Sequence, residues 1–270
     1  MKQINRILAV CSDFGKCDRV LEVTAEMAKR HGSGVTLMFV DEPALFELPL
    51  FRGEKMLDHQ KLKEEIEAKA QKAGIENPAV LIYEGDTPDR VQLEAEREAD
   101  SLIITPYEAE ISAKIIDKVR TPVLVLKAGL HLYSRAVVAI DAVMPQRCLE
   151  FMRRFFEGVD LHLYLDFQYV PMPSVDPVAE PLDVGMDATL YTELLDAKRE
   201  AFEAFCKAHN LKGSFEIGES GIDEDVAAFV KKQDADLLVL APLDHDTILG
   251  DAVADILESV PTDTLVCFES

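Results

Sequence analysis

A chain whose strand pattern recurs at a near-constant interval has few folds open to it. Ala99-Asp100-Ser101-Leu102-Ile103-Ile104-Thr105-Pro106 returns as Ala235-Asp236-Leu237-Leu238-Val239-Leu240-Ala241-Pro242, 136 residues on. Ile7-Leu8-Ala9-Val10-Cys11 returns as Val137-Val138-Ala139-Ile140-Asp141 at a spacing of 130. Thr121-Pro122-Val123-Leu124-Val125 is echoed by Thr262-Asp263-Thr264-Leu265-Val266 at 141. Three echoes in one order predict a duplicated domain, residues 1–130 and 131–270, and the drift in spacing marks insertions in the second copy.

Each half alternates apolar strands with amphipathic helices. The first predicts strands at 6–12, 35–40, 79–83, 101–105 and 122–127, and helices at 16–31, 55–73, 87–98, 110–119. The second predicts strands near 135–140, 160–166, 214–217, 236–240 and 263–268, and helices near 145–157, 190–209, 222–232, 247–259. Such alternation implies right-handed crossovers and a parallel sheet with helices on both faces. Nearly all-apolar strands agree, because both faces of such a sheet are buried. The expected fold is α/β, two tandem five-stranded doubly wound domains. Segments 41–56 and 170–187 interrupt the pattern, and the second carries Pro171, Pro173, Pro177 and Pro181. Proline at that density favours an extended loop. Each segment reads either as a connector over the sheet edge or as a lid with an apolar tip.

The net charge of −22 is unevenly shared. Residues 1–130 hold 18 basic and 23 acidic side chains, and residues 131–270 hold 10 and 27, giving −5 and −17. That field repels phosphate backbones and anionic lipid, so neither nucleic acid nor membrane is an expected partner. No apolar run is long enough to span a bilayer. The five cysteines are scattered without metal-ligand spacing, as in a reduced, cytoplasmic protein.

Several motifs give the chain a resemblance to tandem universal stress proteins. They are the two opening strands, Gly34 to Asp41, the Gly85-Asp86 and Gly218-Glu219 turns, the Ala-Asp strands and the closing Thr121 to Val125. The resemblance implies an adenine-nucleotide α-hydrolase-like fold in each half. It also implies antiparallel pairing of the last strands, here within one chain as a pseudo-dimer. Nucleotide-binding members carry Gly-x2-Gly-x9-Gly-Ser/Thr after the fourth strand, where backbone N–H groups approach phosphate. Here the first copy reads Thr105-Pro106-Tyr107-Glu108-Ala109-Glu110 with no glycine, and the second keeps only Gly250, followed by Asp251. A carboxylate about 4 Å from a phosphate charge costs roughly 4 kcal/mol at an effective dielectric of 20. A micromolar ligand has only about 8 kcal/mol in total. ATP is therefore not expected to bind either copy, and no cofactor is expected.

Asp141 matches the acidic residue that the family places at the end of its first strand, where the first copy has Cys11. Asp141 reads either as a ligand-orienting carboxylate or as a cap for the next helix. Asp244-His245-Asp246 lies on the loop where α/β sheets place their sites. Adjacent side chains rarely converge on one ion, so no metal is expected, and Asp246 reads as an N-cap. Asp141, Asp166, Pro242, Asp244, His245 and Gly250 form the candidate lining of a strand-end ligand crevice. No nucleophile–base arrangement is evident, and no enzyme activity is expected. The leading expectation is a cytoplasmic, non-catalytic stress-response module that binds or scaffolds a protein or small-molecule partner. The alternative is a binder of a non-nucleotide or apolar ligand beneath the two loops. The last strands leave open a monomeric pseudo-dimer or a further homodimer.

Overall fold

The computed structural model describes residues 6–11, 15, 17–41, 59–97, 101–127, 133–141, 144–168, 184–218 and 220–269. The first half runs β1 (Arg6–Cys11), α1 (Cys17–His31), β2 (Gly34–Asp41), α2 (His59–Ala73), β3 (Ala79–Glu84), α3 (Thr87–Ala95), β4 (Ser101–Pro106), α4 (Ala109–Lys118) and β5 (Val123–Leu126). The second runs β6 (Arg135–Ile140), α5 (Gln146–Phe155), β7 (Asp160–Phe167), α6 (Val184–His209), β8 (Lys212–Ile217), α7 (Ile222–Lys232), β9 (Leu237–Ala241), α8 (Ile248–Asp251), α9 (Val253–Ser259) and β10 (Asp263–Val266).

All ten strands join one sheet, in the order β3-β2-β1-β4-β5-β10-β9-β6-β7-β8. Every pairing is parallel except β5 with β10, where Leu124 faces Leu265 in an antiparallel register. The order reads 3-2-1-4-5 inward from each sheet edge, so the two halves lay down their strands in the same way.

The strands are buried because both faces are covered. β1 and β5 have no exposed residue, as their apolar sequences require. In α5, Cys148, Leu149, Met152 and Phe155 recur on one helical face and are all buried. Helix α1 buries Val20, Leu21, Thr24 and Met27, then ends at Gly32, whose φ of +66° only glycine adopts cheaply. Asp86 caps α3 by accepting from Asp89 N at 3.0 Å, a contact worth about 1 kcal/mol.

One core cluster lies on each face, and both run across the β5–β10 seam. Leu124, Leu126 and Leu265 belong to one cluster, and Val123, Val125 and Val266 to the other. Helices α4 and α9 also pack together across the seam.

Among the departures from the sequence reading, three have a clear local cause. Helix α6 begins at Val184 and not near 190, because nothing after Pro181 forbids helix. The expected helix over 247–259 divides at Ala252, close behind Gly250, a weak helix former. Thr247, not Asp246, caps α8, accepting from Gly250 N at 3.2 Å. The two expected lids fall largely on residues 42–58 and 169–183, outside the described residues.

Candidate functional site

The loops after β4 and β9 stand where a phosphate-binding loop would offer backbone N–H groups. In the first copy Pro106 has no such group, Tyr107 N donates to Leu126 O at 2.9 Å, and Glu108 N donates to Ser112 Oγ at 2.9 Å. In the second, His245 N donates to Asp244 Oδ1 at 2.8 Å and Thr247 N to Asp244 O at 3.4 Å. Gly250 N is held by Thr247 Oγ1, and Asp251 N donates to Thr247 O at 2.8 Å. These amides complete turns and helix starts, which leaves them unavailable to an anion. Gly250 serves packing: a Cβ there would run into Asp244 O and come within 2.6 Å of His245 O.

The six sequence candidates fall in two neighbourhoods, with Asp141, Asp166 and Pro242 at the adjoining ends of β6, β7 and β9 and the other three on the loop and helix that follow β9. Asp244, His245 and Gly250 turn toward the first half. Arg120 Nη2 donates to Asp244 Oδ1 at 2.8 Å, and the His245 ring lies 4.2 Å from Phe268. His245 and Gly250 line a cleft of about 380 Å³ with Lys114, Asp117, Asp246 and Asp251. Three carboxylates there face one lysine and a histidine whose pKa is lowered by burial and by Arg120. Such a cleft is unfavourable for phosphate. Pro242 is buried, its carbonyl accepting from Glu269 N at 3.0 Å.

Asp166, near the end of β7, falls beside Asp141 in the parallel register. It accepts from Gln168 Nε2 and faces Asp225 and Glu216. Burial, opposed by the Gln168 hydrogen bond and reinforced by those carboxylates, raises its pKa to about 6. Asp141 follows the end of β6 and does not cap α5, whose N-cap is Pro145, because four residues separate Asp141 from the helix.

The seam holds residues that the sequence reading passed over. Asp263 is fully buried at the start of β10. It accepts from Arg19 Nη2 of α1, from Lys127 N at 2.6 Å and from Tyr133 Oη at 2.7 Å. Lys127 Nζ donates to Leu257 O and, at 2.6 Å, to Val260 O, and sits 4.4 Å from the centre of the Tyr107 ring. Burial lowers its pKa to about 8. Arg19, Tyr107, Lys127, Glu258 and Val260 line a second cleft of about 430 Å³, built by both halves. One signal marked Asp263 in advance: a carboxylate beginning an apolar strand, where the first copy has Pro122.

An α/β sheet of this order, beginning with β1 and a loop after β4, is matched by comparison with known proteins. Residues 3–107 match the Universal stress protein family. The matched stretch takes in β1 to β4. A universal stress protein from Archaeoglobus fulgidus DSM 4304 superposes with a TM-score of 0.66 at 18% identity, covering 98% of this chain and 97% of that one. A functionally unknown protein from Pseudomonas aeruginosa PAO1 gives 0.67 at 16% identity, covering 98% and 92%. At these identities the likeness is one of fold. No curated protein matches the chain. Among the described residues, no helix is long and apolar enough to cross a membrane.

Proposed function

We propose that the chain is a tandem universal stress protein, two units fused as an intrachain pseudo-dimer. On this reading it acts in the cytoplasm as a non-catalytic stress-response module that binds or scaffolds a partner without ATP. The observation that carries this reading is the fate of the loop amides. Tyr107, Glu108, His245, Thr247, Gly250 and Asp251 all commit their N–H groups to the protein's own acceptors. The carboxylates Asp117, Asp246 and Asp251 around the second loop add a repulsive field. Calorimetry of the intact protein with Mg-ATP tests it directly. No heat of binding is expected at micromolar concentration, and one or two stoichiometric sites would overturn the reading.

A second reading is favoured by the 430 Å³ cleft across the seam, which lies in the size range of small-molecule sites. There the protein binds a non-nucleotide ligand between its halves. Native mass spectrometry of protein purified without additives separates the two readings. A bare 30.0 kDa species supports the scaffold, whereas a retained extra mass supports the ligand binder.

A further inference from the structure

Cys11 closes β1 and Cys17 opens α1, and the chain brings their thiols together. The two thiols hydrogen-bond each other, and this contact, followed by burial, holds the Cys11 pKa well above its ordinary value. The Lys69 charge pulls in the opposite direction. Both cysteines line one small apolar cavity with Leu21, Phe39, Ile66 and Lys69, with room for about one water-sized molecule, about 10 Å³. Lys69 leads from that cavity to the surface, where its Nζ meets the exposed Asp18 carboxylate at 2.8 Å.

The second half holds a similar pair, Cys148 in α5 and Cys267 just after β10, also hydrogen-bonded thiol to thiol. Those two are 0% and 1% exposed, against 6% and 3% for Cys11 and Cys17. One molecule therefore carries two thiol pairs of the same chemistry that differ in access.

We propose that Cys11 and Cys17 are a reversible dithiol switch, closed to an intramolecular disulfide by hydrogen peroxide arriving from the Lys69 side. One sulfur, as thiolate, attacks the nearer peroxide oxygen. The O–O bond breaks, leaving a sulfenic acid and hydroxide, which takes up the proton lost from the thiol. The second sulfur then attacks the sulfenic sulfur. An S–S bond forms, the S–O bond breaks, and a second water leaves with the remaining thiol proton. Two thiols are oxidised by two electrons, and one peroxide is reduced to two waters. Protonated thiols react slowly, so the pair answers sustained exposure and not a brief pulse. Closure ties the end of β1 to the start of α1, at the strand end where the second half carries Asp141. The inference is independent of whether either loop binds ATP.

The test uses the full-length native protein, incubated with hydrogen peroxide, denatured in an alkylating agent and mapped by peptide mass spectrometry. A Cys11–Cys17 linkage two hydrogens lighter than the dithiol is expected, reversed by dithiothreitol, with Cys148 and Cys267 still alkylated. In C17S, Cys11 is expected to stop at the sulfenic or sulfinic stage. The proposal is overturned if Cys11 and Cys17 stay alkylatable. It is also overturned if Cys148 and Cys267 oxidise at the same rate, since global opening then governs access. A linkage between two chains would overturn it as well. The wild-type map requires no variant, so instability of C17S leaves the test intact.

Discussion

Asp263→Ala removes the acceptor on which three groups from both sides of the seam converge. It takes one partner from the Arg19 guanidinium, whose side chain is partly buried at 21% exposure. Breaking a buried ion pair from one side costs about 3–5 kcal/mol. The partial exposure of Arg19 places that contribution near the lower end. The Lys127 amide and Tyr133 hydroxyl also lose their acceptor, at about 1–3 kcal/mol for a buried donor left unmet. These costs overlap at one site, so the total expected is about 4 kcal/mol. With a urea slope of about 3 kcal/mol/M for a chain of this size, the midpoint should fall by about 1.3 M. Equilibrium urea titration followed by far-UV circular dichroism measures this. Asp263→Asn, which keeps one acceptor oxygen, should fall between alanine and wild type. Arg19→Met should cost about 2 kcal/mol less in the Asp263→Ala background than in wild type, because the stranded charge is then gone. A midpoint shift below about 0.3 M for Asp263→Ala, or strict additivity of the pair, would refute the account of the seam as an electrostatic lock.

Two further outcomes follow from other sites. Asp166 has a folded pKa of about 6, above its unfolded value, so between about pH 4 and 6 the folded state holds more protons. Its contribution to stability is therefore present below that window and lost as pH rises through it. Asp166→Asn should stabilise the protein at pH 7 by about 1 kcal/mol after solvent screening, seen as a higher melting temperature than wild type, and the gain should vanish at pH 4. Thermal melts at the two pH values check the sign. Gly250→Ala should destabilise by about 1–3 kcal/mol, since its Cβ has no room against the backbone of residues 244–245. A neutral result in chemical denaturation would mean that the loop moves aside freely.

Periodicity carried most of the fold. Runs such as Ile7 to Cys11 and Leu237 to Ala241 admit one reading, since wholly apolar strands need cover on both faces. The site was less legible because its residues meet across about 100 positions or more of sequence. Arg120 and Asp244 are 124 apart, and Arg19 and Asp263 are 244 apart. Nothing local in either segment points to the other. The surroundings of the candidate residues were hidden for a similar reason: Asp166 lies near the end of one strand and His245 just after another, yet one faces Asp225 of α7 and the other lies beside Asp117 of α4. The cap was misplaced by one residue because Asp246 and Thr247 are both good N-caps, and the close packing of Gly250 selected Thr247.

In a dimer of identical chains, every substitution at the shared face is made twice. On the tandem reading proposed above, the fused chain escapes that rule. Arg120 grips Asp244, but the counterpart positions at the repeat spacings hold Pro261 and Glu108, so this contact exists in one copy only. Asp263 likewise stands opposite a first-copy position held by Pro122. On that reading, joining the halves covalently lets each inherit changes that the other never shares, in keeping with the charges of −5 and −17 on residues 1–130 and 131–270. A partner of the proposed module would then meet two differently charged faces on one chain.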